Sequence, residues 1–334
     1  MSEQPLVSVL TPTYNNGEYL AECIESVLKQ TYTNFEYIIV NNCSKDNTLE
    51  IAQSYAAKDS RVRVHNNTDF LGVIANHNHA FRMIAPDSRY TKVISGDDWL
   101  YPDCLKLMVE LAVAHPRVSL VGSYSIAGNQ VLWEGLNYEQ HVVSGYDICR
   151  ATMLGEPYVF GSPTTLLYRS DLLRKDQPFY PGTSPHADTT ACFGALQDSD
   201  FGFIHQVLSY TRVHAETQTS ASRKFGMINR ALISDLATYG SVYLTADELK
   251  SKLQIMTDKY YRWLLPALVE NAFDKEFWAK QVSGLAEIGL EFRPALLAKA
   301  VVTRGFDLVT TPSTTVGKIV QMAKRRGKLQ ARYY

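Results

Sequence analysis

Short apolar runs alternate with amphipathic stretches through the first third of the chain, and few folds accept that alternation. Leu6-Val7-Ser8-Val9-Leu10, ended by Pro12, reads as a buried strand. Leu20, Cys23, Ile24, Val27 and Leu28 then recur at the spacing of a helix packed on a sheet. Tyr37-Ile38-Ile39-Val40 is a second strand, and Leu49, Ile51, Ala52 and Tyr55 mark a second helix. Val62-Arg63-Val64 follows as a strand, Gly72 through Ile84 as a helix, and Tyr90 through Ser95 as a fourth strand. Strand and helix in turn, with short connections, predict an α/β fold built on a mostly parallel, doubly wound sheet. Polar clusters follow strands one, two and four, so they gather at one sheet edge. In open α/β sheets that edge is the ligand crevice.

The fourth strand delivers Ser95-Gly96-Asp97-Asp98-Trp99. Neighbouring carboxylates repel unless a cation lies beside them, so a divalent metal is the natural partner of Asp97 and Asp98. An exposed turn with two solvated acids is the alternative. No GxGxxG follows the first strand and no GxxxxGK[ST] occurs, which argues against the usual dinucleotide and P-loop sites. A nucleotide bound here would have its diphosphate held by metal and side chains.

Composition narrows the class further. The net charge of −1 gives no general attraction to nucleic acid. The 5 cysteines are scattered and never paired as CxxC, which fits reduced structural thiols. The amino terminus lacks a secretory pattern, and no uncharged apolar run approaches the ~20 residues that span a bilayer. A cytoplasmic protein is therefore expected.

Four separated motifs occur in order: Val7-Ser8-Val9-Leu10-Thr11-Pro12-Thr13-Tyr14-Asn15, Ser26-Val27-Leu28-Lys29-Gln30-Thr31-Tyr32, the stretch Tyr37 to Thr48, and Gly96-Asp97-Asp98-Trp99-Leu100-Tyr101-Pro102-Asp103. Together they resemble the inverting family 2 glycosyltransferases of the GT-A fold, of the bacterial cell-surface glycan type. The resemblance implies a GT-A nucleotide-diphospho-sugar transferase fold over residues 1–222, with a donor-nucleotide half (1–125) and an acceptor half (126–222), and a helical C-terminal extension over 223–334.

The resemblance also implies roles. Pro12, Thr13 and Tyr14 match the segment that meets the nucleoside of the donor. Asn42 matches an aspartate that accepts a hydrogen bond from a pyrimidine, and its amide oxygen can still accept one. Asn41 and Cys43 replace the family's usual Asp and Gly. Asn78 matches a common asparagine, while His77 stands where arginine is frequent. Ser95 replaces an acid, so the pair alone is assigned, with Gly96 and Asp97 toward the donor and Asp98 toward Mn²⁺ or Mg²⁺. Trp99 and His186 fall on the acceptor side. His186-Ala187-Asp188 keeps the aspartate that serves the family as catalytic base, although a helix N-cap also accounts for Asp188. Tyr210-Thr211-Arg212-Val213-His214 matches a YRxH pattern, with Arg212 toward the diphosphate and His214 a metal ligand.

In the second half, Gln130 through Trp133 reads as a strand, and Ser144 opens a helix in a manner close to a capping box. Phe160 through Tyr168 reads as a loop feeding a strand; Phe201–Ile204 and Val207–Arg212 read as two strands. From Phe225 onward the pattern is helical, and Tyr260, Tyr261, Trp263 and Leu264 read as core. The tail from Thr315 sets Ile319 and Val320 beside Lys318, Lys324, Arg325 and Arg326, and such an end can lie on an anionic membrane.

The expected function is metal-dependent, inverting transfer of a sugar from a nucleotide-diphosphate donor, a UDP-sugar being favoured. The acceptor would be a hydroxyl of a cell-surface glycan or lipid-linked saccharide, reached at the cytoplasmic face of the membrane. The alternatives are a non-catalytic sugar-nucleotide binder, motivated by Asn41-Asn42, Ser95 and His77, and a sugar nucleotidyltransferase. The latter should carry a Gly-rich loop after the first strand, and Thr11-Pro12-Thr13-Tyr14-Asn15 is not one.

Overall fold

β-Branched and aromatic residues at positions 7–13, 35–41 and 90–93 build the strands that carry the site. The computed structural model describes residues 4–156, 158–175, 178–182, 186–212 and 226–310, with 304–310 as backbone alone. The chain divides into two compact units, Met1–Gly182 with Ala187–Val213, and Thr183–His186 with His214–Tyr334.

In the first unit β1 (Val7–Thr13) pairs in parallel with β2 (Phe35–Asn41) and with β4 (Tyr90–Val93), and β2 pairs in parallel with β3 (Val62–Asn66). Helices α1 (Leu20–Leu28), α2 (Thr48–Ala56) and α3 (Val73–Phe81) make the crossovers. After β4 come β5 (Trp99–Leu100), α4 (Cys104–Ala114), β6 (Val118–Ala127), β7 (Gln130–Leu132), β8 (Val142–Ser144) and α5 (Gly145–Leu154). A 3₁₀ turn (Pro163–Thr165), β9 (Leu166–Arg169), α6 (Ala187–Ala195) and β10 (Asp200–Tyr210) complete the unit. The strand order is β3-β2-β1-β4-β9-β6-β10-β5. Its first half is parallel, as the alternation implies. The second half is mixed: β9 runs antiparallel between β4 and β6, and β10 returns parallel to β6.

Three local readings change. The segment expected as two strands is one, β10, whose register against β6 shifts between Ile204 and Val207. A bulge keeps such a strand continuous while breaking its alternation. The strand at Gln130 stops one residue early because Trp133 takes φ 72°. Ser144 does cap α5, but its side chain makes no capping bond.

The apolar stripe of α1 (Leu20, Cys23, Ile24, Val27) packs into one core with Val7, Val9, Tyr37 and Ile39 of the sheet and Leu105 and Met108 of α4. The polar face of α1 has a separate task. Gln30, 4% exposed, donates to Tyr101 O at 2.8 Å and accepts from Leu105 N at 3.0 Å. Ser26 Oγ accepts from Leu100 N at 3.1 Å, and Thr31 N donates to Pro102 O at 2.9 Å. The end of α1 is thereby tied to the segment that follows the acid pair.

The second unit contains, among its described residues, α7 (Met227–Tyr243), α8 (Ala246–Leu264), α9 (Ala267–Glu270), α10 (Lys275–Ala286) and α11 (Pro294–Thr310). Thr245 and Glu248 form a capping box at the start of α8. Ile233, Tyr260, Tyr261, Leu264, Phe277 and Leu285 make its core, with Trp263 packed against it. No helix among the described residues is long and apolar enough to cross a membrane. The basic tail from Thr315 lies outside the described residues.

Gln30→Leu keeps the side chain's bulk but takes the Gln30 acceptor from the Leu105 amide, while the Tyr101 carbonyl keeps its bond from Cys104 N. A buried group stranded in this way costs about 1–3 kcal/mol. Chemical denaturation should show that loss, and an unchanged midpoint would refute the anchoring role.

Candidate active site

The acid pair lies in the turn that follows β4. Asp98 N donates to Ser95 O at 3.0 Å, closing the turn. Gly96 sits in that turn because a Cβ there would come within 2.7 Å of Thr13 Oγ1 and 3.0 Å of Asn16 Oδ1. The ends of β1 and β4 thus meet at a point where only glycine fits without displacement.

Asp98 is 5% exposed, and both its oxygens accept hydrogen bonds. Thr164 Oγ1 donates to Oδ2 at 2.6 Å, and Arg212 N donates to Oδ1 at 2.9 Å. Burial, followed by the charge of Asp97, pushes the Asp98 carboxyl up from 3.8 to about 7, against the lowering pull of those two bonds. Arg212 Nε donates to Asp97 O at 3.0 Å, its Nη2 pairs with Glu22, and its guanidinium lies 4.4 Å from the Tyr19 ring centre. Arg212 therefore braces the acid turn with its backbone and side chain together. Trp99, half-buried, stacks on Tyr210 at 5.1 Å.

At the ends of β1 and β2, Pro12 is buried and Thr13 Oγ1 donates to Asn16 Oδ1 at 2.8 Å. Tyr14 is 39% exposed and meets Phe70, 61% exposed, edge-on at 5.0 Å. The Asn42 amide is engaged within the protein. Its Nδ2 donates to Leu71 O at 2.7 Å, and its Oδ1 accepts from Leu71 N at 2.9 Å and from Asn67 Nδ2 at 3.0 Å. Asn67 Nδ2 also reaches Asn76 Oδ1 on α3 at 3.0 Å, so asparagines fix the segment entering that helix. Cys43 adopts φ 59°, in the region that favours glycine, as suits a position where the resembled family has Gly.

Asn78 clamps the backbone of Tyr180 in the same way, donating to its O at 2.7 Å and accepting from its N at 2.9 Å. Beside it, burial pulls the His77 ring below its usual value, while its Nδ1 contact with Val73 O and the charge of Asp188 oppose the shift. Asp188 is half-buried in the first turn of α6, one residue inside the helix, where a carboxylate favours the positive end of the dipole. His186 is half-buried just before the helix. Tyr158 Oη bonds Thr189 Oγ1 at 2.6 Å and donates to Gly161 O at 3.1 Å. The segment 158–165 therefore runs from the first turn of α6 to Thr164, and Thr164 holds Asp98.

His214 lies outside the described residues. Among the described residues no group of three or more His, Cys, Asp and Glu side chains forms a ready-made metal cage. Thr164, Glu22, Tyr180 and Phe70 escape a sequence reading. Thr164 sits in the loop assigned as a whole to the acceptor side, and Glu22 looks like an ordinary solvent-facing helix residue.

A family model, glycosyl transferase family 2, matches residues 8–176. Glycosyltransferase GlyG of Streptococcus pneumoniae is 33% identical over 124 residues, 37% of this chain and 40% of that protein. The first curated relatives are matched over 31–48% of their own length. Among solved structures, S. aureus TarS 1-349 in complex with UDP-GlcNAc superposes with a TM-score of 0.62 at 17% identity, covering 84% of this chain and 80% of that one. The mannosyltransferase PcManGT from Pyrobaculum calidifontis, in complex with GDP-Man and Mn²⁺, gives 0.57 at 16% identity, covering 94% and 83%. The two likenesses show a shared fold.

Asp98→Asn should change stability in a pH-dependent way. The raised folded value means the proton is held more tightly in the folded chain, so its contribution is full below 3.8 and is lost as pH rises toward 7. The metal-free variant should therefore match wild type near pH 4 and exceed it at pH 7 and above, by on the order of 1–4 kcal/mol. Thermal unfolding across that range measures the gap, and a gap independent of pH would contradict the assignment.

Proposed function

The chain belongs to glycosyl transferase family 2, and on that premise we propose that it transfers a sugar from a nucleotide-diphosphate donor to an acceptor hydroxyl with inversion at C1. The observation that carries the reading is that one segment, 158–165, bonds Asp98 through Thr164 and the first turn of α6, which carries Asp188, through Tyr158 and Thr189. One carboxylate is almost withdrawn from water and the other is half-buried at a helix start. Such a division suits one group that meets a cation and another that meets a proton.

In this reading Asp188 accepts the acceptor's hydroxyl proton as the oxygen attacks C1, and the C1–O bond to the diphosphate breaks with the electron pair leaving on phosphate. Holding donor and acceptor on one protein face supplies the proximity contribution. The donor set fits a hard divalent cation, because Asp98 is a buried carboxyl whose proton affinity burial and then the Asp97 charge raise, and a cation there would relieve both. Asp98 and Asp97 would hold Mn²⁺ or Mg²⁺ together with diphosphate oxygens and waters, and His214 joins them on the sequence pattern. The cation would offset negative charge on the leaving diphosphate.

Pro12, Thr13, Tyr14 and Gly96 form the nucleoside side of the donor site. Asn42 and Asn78 serve it by fixing Leu71 and Tyr180, and Arg212 by bracing the acid turn. Trp99 serves the acceptor side, and the sequence pattern assigns His186 to it as well. A UDP-sugar is the favoured donor, and a cell-surface glycan or lipid-linked saccharide the favoured acceptor. The basic tail would bring the protein to an anionic membrane face.

Asp188→Asn tests the reading. Asparagine preserves size and the helix start but takes up no proton at neutral pH. Transfer should fall by about 10²–10⁴-fold with donor affinity nearly unchanged. Near-normal transfer would remove Asp188 as base and turn attention to His186. Donor binding without turnover in wild type would favour the non-catalytic binder.

A further inference from the structure

β4 contains a lysine that solvent never reaches. Lys92 is 0% exposed, and its cross-strand partner is Leu167 of β9. Its ammonium group donates to Thr164 O, to Leu166 O at 3.1 Å and to Met108 Sδ at 3.8 Å. These contacts satisfy its three N–H groups without any carboxylate touching it. Burying a cation in this way is expensive, and an apolar residue of similar size would often be as stable or more so.

Thr164 explains what the cost obtains. Its carbonyl accepts from Lys92, while its hydroxyl donates to Asp98 Oδ2 at 2.6 Å and accepts from Ser95 N at 3.2 Å. One residue thus joins a buried ammonium to a buried carboxylate and to the first residue of the acid turn. Lys92 also grips Leu166 O, just past the 3₁₀ turn, so the middle and the exit of that turn are pinned together. Burial pulls the Lys92 ammonium below its usual value, while the nearby Cys104 and Asp98 oppose the shift.

We propose that Lys92 is a positioning residue for the donor site: it fixes the 3₁₀ turn so that the Thr164 hydroxyl orients Asp98 toward the metal and diphosphate. The inference rests on the donor-site reading above. Lys92 touches neither donor nor metal and acts only through Thr164. A general packing role would affect stability, whereas a positioning role also couples Lys92 to Thr164 in ligand affinity.

The test is a double-variant cycle in the full chain, with UDP and GDP as probes, each with Mn²⁺, read by titration calorimetry on samples shown to be folded by thermal unfolding. Lys92→Met and Thr164→Val should each weaken binding by about 10–100-fold, the range typical of outer-shell partners. The double variant should be little weaker than either single one, because both break the same chain of bonds. Thr164→Ser, which keeps the hydroxyl, should restore affinity. If Lys92→Met does not fold, Lys92→Leu, which likewise has no N–H donor for the two carbonyls, replaces it under the same criteria. Unchanged or tighter binding in the folded Lys92 variant, or losses that multiply in the double variant, would overturn the proposal. A wild-type chain that binds neither probe would instead overturn the donor-site reading itself.

Discussion

A carboxylate held almost out of water is the constraint that the rest of the site answers to. An isolated buried aspartate would cost several kcal/mol as an anion and would keep its proton. Asp98 meets that cost with two donors, the Thr164 hydroxyl and the Arg212 amide, from segments far apart in sequence. Each donor is itself held. Arg212 is braced by Glu22, Tyr19 and the Asp97 carbonyl, and Thr164 by Lys92 and Ser95. The shell remains short of positive charge next to two acids, because burial and Asp97 together outweigh the two bonds.

The parallel half of the sheet was legible in the sequence because its signals are local. Runs such as Val7–Leu10 and Tyr37–Val40 are buried on both faces, and the stripe of α1 has one partner, so periodicity and burial agree. The mixed half was less legible. β9 is inserted between β4 and β6 by long-range pairing, and β10 pairs with β6 through a shifted register, neither of which periodicity reports. The position of Asp97 and Asp98 after β4 follows from the same local pattern that places the strand.

The wiring of the site was not legible, and the reason is physical. Motif matching assigns a residue type to a role, but an amide has two ends and can be consumed by the protein before any ligand arrives. Asn42 and Asn78 show this: each spends its oxygen and nitrogen on the backbone of one residue, Leu71 and Tyr180. The same holds for Gln30, whose motif is recognisable in sequence while its function, anchoring Tyr101 and Leu105 behind the acid turn, needs coordinates.

These bonds share a pattern that bears on how such a site tolerates change. Gln30, Asn42 and Asn78 each bind backbone groups of another segment, so the partner's side-chain identity matters little while its backbone position matters a great deal. Side chains exposed at the same edge, Tyr14 and Phe70, carry no such duty beyond their mutual contact. Substitution at the exposed pair removes that ring contact and none of the bonds to Asp98. Substitution at Thr164 or Arg212 instead changes a bond made to Asp98 or to the acid turn itself. The exposed aromatic pair and the bonds that hold Asp98 are therefore separable sets of residues, drawn from different connections of the same sheet.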